Sequence, residues 1–388
     1  MSIRLGIIGI GNMGSGHMKN ILEGKCPDFE MAAVADINPA RLEWAKEVTE
    51  GKIATFDSGV KLLDSGLVDA CLIAVPHYDH ASLAMECMKR GIHVMVEKPA
   101  GVYTKQVREM NAEADRHPEV VFGMMFNQRT NHVYRKMREL VQSGKYGKLR
   151  RVNWIITDWY RPQAYYDSGN WRATWSGEGG GVLLNQCPHQ LDLLQWICGM
   201  PESIHAHMHM GLWHDIEVED DVTAYLEYPG GATGVFVTTT GDAHGTNRFE
   251  VQMEKARIIV TYDGLSLLEY DVAEPEWSAT NKVPFASMPA KEVPVETDGE
   301  NPQHVGVINA WGGAILRGEK LVADGREGIN GLTLSNAMHL SHFLDKKVTL
   351  PLDEELYHQE LMKRVATSRR KTNVTEVVAD TSGTYGGK

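Results

Sequence analysis

Val94-Met95-Val96-Glu97-Lys98-Pro99 places an acid and an amine at the end of a short apolar, β-prone run. Proline has no N–H to donate, so it stops the ladder and leaves Lys98 at the rim of a sheet, where α/β folds bind ligands. An ammonium held there can donate hydrogen bonds or take part in acid–base work. A second block lies further along. Gly177-Glu178-Gly179-Gly180-Gly181 permits close backbone approach, and a helical segment expected over 182–196 carries His189 and Asp192. These two are three apart and share one helix face, with Asn185 one turn earlier if the helix already includes it; Pro188 fits a first turn more readily. An imidazole with an ordinary pKa of about 6.5 is the natural acid–base group near neutral pH.

Between the two blocks the chain turns aromatic and basic: Trp159, Tyr160, Arg161, Tyr165, Tyr166, Trp171, Arg172 and Trp175. Aromatic faces stack on the C–H face of a sugar and arginine forks bond its hydroxyls, so Tyr160, Trp171 and Arg172 are candidate substrate contacts. Such runs also build cores and subunit contacts. Gln128, and Gln303 with His304 at the start of a helix expected over 302–316, are further candidates to face a substrate. His205, His207 and His209 alternate on one strand face and read as a solvated face, and the five cysteines have no metal-ligand spacing, so no metal is expected. Glu217, Glu219, Asp220 and Asp221 read as an exposed acidic loop.

The elements that must position Lys98 come first in the chain. Residues 3–8 read as a buried strand, Gly9-Ile10-Gly11-Asn12-Met13-Gly14 follows at once, and a helical pattern runs from about Ser15 to Leu22. In this strand-to-helix setting the first glycine permits the turn, the second lets the backbone approach a pyrophosphate and the third allows close packing. The helix N-terminus then faces the anion. A second strand, 31–35, ends at Asp36, where an acid should bond the adenosine ribose and repel a 2′-phosphate. NAD is therefore favoured over NADP, with nearby Arg41 keeping the second open. A third run, 68–76, is ended by Pro76, with His77 and His80 at its rim before a helix over 81–90. Alternation of strands and helices to about residue 124 predicts a doubly wound parallel sheet.

After a helix expected over 132–144, the pattern is alternating and β-rich from Ser203 to about Leu268, with a hairpin turn at Pro229-Gly230-Gly231. The expected class is α/β plus α+β, divided as a Rossmann domain over 1–124, a substrate-binding and oligomerisation domain over 125–366, and a polar tail or arm over 367–388. At 388 residues the prior is two to three domains. A net charge of −12 argues against a nucleic-acid surface. No apolar run approaches the ~18 residues of a membrane span, no leader is visible at Met1-Ser2, and an odd cysteine count suits reduced thiols, so the expected location is cytoplasmic.

Gly9–Gly14 with His17, Asp36, Pro76 with His80, Glu97-Lys98-Pro99, the glycines at 179–181, His189, Asp192 and Glu327-Gly328 together resemble the glucose–fructose oxidoreductase / inositol dehydrogenase / rhizopine-catabolism (Gfo/Idh/MocA) family over roughly residues 3 to 366. The resemblance implies a second domain with a large, open, mostly antiparallel sheet. It also implies NAD(P)-dependent hydride transfer between a nicotinamide and a secondary hydroxyl of a sugar, glycoside or cyclitol. The family lysine carries over to Lys98 and the family histidine to His189. The family pattern has an aspartate four positions before that histidine. Here Asn185 stands instead, and an amide can orient a hydroxyl but cannot take its proton. Reduction of a keto-sugar is the alternative direction, and a dinucleotide-binding regulator without catalysis the alternative class. A sheet face left without helices is expected to pair with another copy, giving a homodimer or homotetramer.

Overall fold

The computed structural model describes residues 2–369 together with 371 and 374; the remainder of the expected tail lies outside the described residues. Six short apolar runs form the first sheet: β1 (Ile3–Ile8), β2 (Phe29–Ala35), β3 (Ala54–Phe56), β4 (Ala70–Ile73), β5 (His93–Val96) and β6 (Phe122–Met124). Their order is β3-β2-β1-β4-β5-β6 and every pairing is parallel. The order reverses between β1 and β4, which opens a crevice at the carboxyl ends of these strands. The helix Asn12–Leu22 buries Gly14, His17, Met18 and Ile21, a spacing that keeps one face on the sheet.

The second sheet has nine strands: β7 (Leu149–Ile156), β8 (Ser203–Met210), β9 (Glu219–Glu227), β10 (Thr233–Thr239), β11 (Asn247–Met253), β12 (Ala256–Thr261), β13 (Gly264–Tyr270), β14 (Ala290–Val293) and β15 (Val348–Thr349). The order is β14-β13-β12-β11-β7-β10-β9-β8-β15, antiparallel throughout except for the parallel β7–β10 pair. Its inward residues include Trp154 and Phe249, stacked 4.0 Å apart under Tyr134 of the helix His132–Gln142. The helix Gly328–Leu344 lies on the same face, with Ser341 Oγ accepting from the Ala206 N–H at 3.0 Å. On the opposite face His207, Thr223, Tyr225, Ile155 and Arg248 alternate with the core and are exposed.

Two ties join the sheets. The helix Gln303–Arg317 returns to the first sheet, burying Val307, Ile308 and Trp311 with β1, and Trp311 stacks on Phe29 at 5.1 Å. A line drawn at residue 124 therefore does not separate the two cores in space. Arg129 is the second tie. It is buried, grips both oxygens of Asp192 at 2.7 and 2.6 Å, and reaches Glu327 at 2.7 Å.

Two sequence expectations are corrected. The helix expected from Val182 begins at Pro188, so Asn185 lies in the turn before it. Pro188 sits in the first turn, where no N–H is needed. Ahead of it the Gly181 and Leu183 N–H groups donate to the Glu219 carboxylate at 2.8 and 3.0 Å, which holds the backbone out of a helix. The acidic run is not an exposed loop. Glu219 and Asp220 are fully buried and Glu217 and Asp221 half-buried. Glu219 also meets His339 at 3.0 Å, and Asp220 accepts from Leu212 N, Trp213 N and His214 Nδ1, each at 2.9 Å. Buried carboxylates persist when such donors surround them.

Candidate active site

Gly9 leaves β1 with φ of +87°, and a Cβ there would lie 2.6 Å from the Ala74 carbonyl. A Cβ on Gly14 would lie 1.9 Å from the Gly9 carbonyl, so helix and turn touch only because both are glycine. Gly11 is the opposite case. A Cβ there would meet nothing within 4 Å, and it would fill the open space in front of the helix N-terminus. That end has no side-chain cap, which leaves its N–H groups directed at the crevice. Asp36 closes the far side, accepting from Ile10 N and Asn38 N at 2.8 Å each. Arg41 is fastened to the same turn, donating to Ile10 O at 2.8 Å and Ser15 Oγ at 2.5 Å while stacking on Trp44. The glycine cradle, the helix start without a side-chain cap and the acid fit a dinucleotide, with Asn12 and Met13 in the first turn of the helix and Pro76 just beyond the facing end of β4.

Below the cradle lies a buried polar chain. His17 Nε2 meets Glu97 Oε1 at 2.6 Å, and the other Glu97 oxygen accepts the Lys98 N–H at 3.1 Å. Burial alone would raise the Glu97 pKa, but the His17 hydrogen bond and the charges of His17, His304 and Lys98 outweigh it and bring it down to about 2. The His304 ring stands 5.3 Å from His17; burial and the charges of His17 and Lys98 push its pKa down to about 4. The two ring nitrogens of His80 face the carbonyls of Pro99 at 2.6 Å and Val75 at 2.7 Å, which clamps the Lys98-Pro99 turn to the end of β4. Burial keeps the His80 pKa low against the pull of those carbonyls.

Lys98 Nζ leaves this chain and donates to the Asn185 carbonyl at 3.1 Å. His189 enters from the second domain on the first turn of the helix Pro188–Cys198 and is buried. Burial, then the Lys98 charge, holds its pKa well below the ordinary histidine value, so the ring is neutral at physiological pH. Asn185 is fixed from two sides: its amide donates to Glu178, and its Oδ1 accepts from the Tyr165 hydroxyl at 3.0 Å. Arg172 donates to that hydroxyl at 2.9 Å and stacks on the rings of Tyr165 and Trp171 at 4.6 Å each. Trp171 in turn stands edge-on to buried His77 at 5.7 Å.

Lys98, Asn185, His189, Glu97, His304, Trp171 and Arg172 thus come together at the mouth of the first sheet. Gln128 sits at its edge and donates to Gln303 Oε1 at 3.1 Å, beside His304. Tyr160 stands further out, 45% exposed, with its carbonyl accepting from the Arg161 side chain at 2.9 Å. His205, His207 and His209 lie on the open face, and among the described residues no group of three His, Cys, Asp or Glu is arranged to hold a metal ion. Glu178 is a neighbour that the motifs do not single out, and Tyr165 is one of the aromatic cluster without a role of its own. A lone acid inside a glycine run is the signal that Glu178 offered.

Two family models match the chain: "Oxidoreductase family, NAD-binding Rossmann fold" over residues 3–124 and "GFO/IDH/MocA C-terminal domain" over 134–259. The rhizopine catabolism protein MocA of Rhizobium meliloti is 29% identical over 197 residues, which cover 50% of this chain and 57% of MocA. The trans-1,2-dihydrobenzene-1,2-diol dehydrogenase of Mus musculus is 30% identical over 61% of this chain and 68% of its own length. Among solved structures, the WlbA dehydrogenase from Bordetella pertussis, in complex with NADH and UDP-GlcNAcA, superposes with a TM-score of 0.77 at 25% identity, covering 91% of this chain and all of that one. With both domain models matched in order and a glycine turn shaped for a dinucleotide, the chain belongs to the Gfo/Idh/MocA family of oxidoreductases, whose Rossmann domain binds NAD.

Proposed function

We propose that the protein is an NAD-dependent dehydrogenase that oxidises a secondary hydroxyl of a sugar, glycoside or cyclitol. The observation that carries this reading is Lys98 of the first domain, donating to the Asn185 carbonyl at 3.1 Å, beside buried His189 four residues on in the second. NAD, when bound, supplies the hydride acceptor. The residues of the chain do the rest. His189 takes the hydroxyl proton, which an imidazole can do only while neutral. Lys98 donates a hydrogen bond to the oxygen as it gains charge. Asn185 orients the hydroxyl, and Glu178 orients Asn185. Relatives that act on a cyclic diol, and one crystallised with a nucleotide sugar, support a polyhydroxyl substrate. Five cysteines without a disulfide suit a reducing compartment such as the cytoplasm. The uncovered face of the nine-stranded sheet suits a homodimer or homotetramer, and a monomer by light scattering at micromolar concentration would overturn that part.

The test is NADH formation by absorbance from purified protein and NAD, against monosaccharides, glycosides and inositols, with NADP in parallel. Turnover of one polyol class with NAD supports the reading. NADH oxidation with the matching ketones but no forward turnover reverses the direction. Silence in both, with dinucleotide binding retained, replaces the dehydrogenase with the second reading, a regulator; Asn185 in place of the family aspartate is the observation favouring it.

A further inference from the structure

Arg161 and Arg172 both lie against one ring. Their guanidinium carbons stand 5.2 and 4.6 Å from the centroid of Tyr165, whose hydroxyl is bonded to Asn185 at the mouth of the site. Both side chains are half-buried, and each also rests on a tryptophan, Arg161 on Trp159 at 5.5 Å and Arg172 on Trp171 at 4.6 Å. Among the described residues neither forms an ion pair. The Arg161 side chain donates to the Tyr160 carbonyl at 2.9 Å and that of Arg172 to the Tyr165 hydroxyl, and among the described residues most of two five-donor forks are left for a ligand.

The acid that senses Arg172 is already engaged. Glu178 feels the Arg172 charge, but one of its oxygens accepts the Asn185 amide and the other the Ala173 N–H at 2.6 Å. A third cation, Lys371, reaches the Tyr166 carbonyl at 2.7 Å, with Asp167 4.0 Å away as its own counter-charge. Two like charges drawn to one aromatic ring repel each other, and a half-buried guanidinium without a carboxylate is costly to hold. An oxyanion between the forks removes both penalties, because planar guanidinium matches carboxylate and phosphoryl oxygens two at a time.

We propose that Arg161 and Arg172, seated on Tyr165, form an oxyanion-recognition subsite beside the Lys98–His189 pair, so that the substrate is an acidic sugar or cyclitol carrying a carboxylate or phosphoryl group. That the molecule held there is oxidised rests on the dehydrogenase reading; the subsite itself does not.

Calorimetry on the NADH-loaded protein tests it without turnover. The probes are pairs that differ in the charged group: D-glucuronate against D-glucose, D-glucose 6-phosphate against D-glucose, and myo-inositol 1-phosphate against myo-inositol. At least one anionic member should bind about tenfold or more tighter than its neutral partner. Preference for the uronate assigns a carboxylate, and preference for a phosphate assigns a phosphoryl group. The double variant Arg161→Gln/Arg172→Gln should lose most of that ratio with its NADH affinity unchanged. Arg172→Lys, which keeps the charge but not the fork, should lose part of it, and serves where the double variant fails to fold. Equal affinity within every pair, no binding by any member, or a ratio that survives substitution would overturn the subsite. Tight binding of an anionic sugar without oxidation would keep the subsite and sink the dehydrogenase reading.

Discussion

Asp192 and His189 sit three residues apart on one helix, both are buried, and each lies by a cation from outside that helix, Arg129 from just after β6 and Lys98 from just after β5. Their surroundings differ. Asp192 accepts three hydrogen bonds, two from Arg129 and one from Gln195 at 3.0 Å, and Arg129 is further engaged by Glu327. Burial alone would lower the Arg129 pKa, and the two acids more than offset it. His189 is treated in the opposite way: the same burial, with Lys98 adding to it, expels the proton. A buried ion pair with its charges matched is fixed in place, whereas a neutral imidazole near an ammonium can still accept a proton. The difference between scaffold and chemistry within one helix therefore lies in the charge state that the surroundings impose on each group.

Two substitutions would break this contrast if it is wrong, and the larger effect belongs to the scaffold. Asp192→Ala leaves Arg129 buried with only Glu327, and should lower stability by about 3–5 kcal/mol in urea unfolding. A loss below about 1 kcal/mol, the scale of an exposed pair, would mean that the cluster does not bind the domains together. His189→Ala should reverse the pattern. Turnover falls by about 10²-fold or more, equivalent to about 2.7 kcal/mol of barrier, while NADH binding stays close to wild type. Turnover within threefold of wild type would remove His189 as the base and pass that role to Lys98.

The sequence discloses these regions unevenly, for physical reasons. The glycine turn, Asp36 and the strand ending at Lys98 are legible because each is a local requirement: a positive φ, a close approach, a missing N–H. The doubly wound sheet follows from alternating patterns, and the open mixed sheet from the family likeness. Asn185 and Glu178 are not legible as partners, because the carboxylate of distant Glu219 decides that the chain before Pro188 turns rather than coils. The same non-local satisfaction hides Glu219 and Asp220, which look like solvent-facing acids until the N–H groups around them are known. The return of Gln303–Arg317 to the first sheet is likewise invisible in chain order. Its apolar face would suit either core, and only Phe29 and β1 together complete the site for Trp311.

His304, carried on that returning helix, gives the smallest and most diagnostic effect. Its pKa is about 4 in the folded protein, set first by burial and then by the charge of His17, against about 6.5 when unfolded. Below pH 6.5 the unfolded chain takes up the proton first, so stability falls as pH drops and levels off only near pH 4. Between pH 7 and 5 this one group should cost the cofactor-free protein about 2 kcal/mol. Glu97 does not mask the effect, since a carboxyl held down to about 2 stays ionised across that window and loses its contribution only at lower pH. His304→Gln should therefore flatten the decline between pH 7 and 5 while leaving stability at pH 7 within about 1 kcal/mol. An unchanged slope in urea unfolding would mean that the ring takes up its proton while folded. His304 would then stand with Asp192 among the groups that keep their charge when buried, and the line between scaffold and site would run on the other side of it.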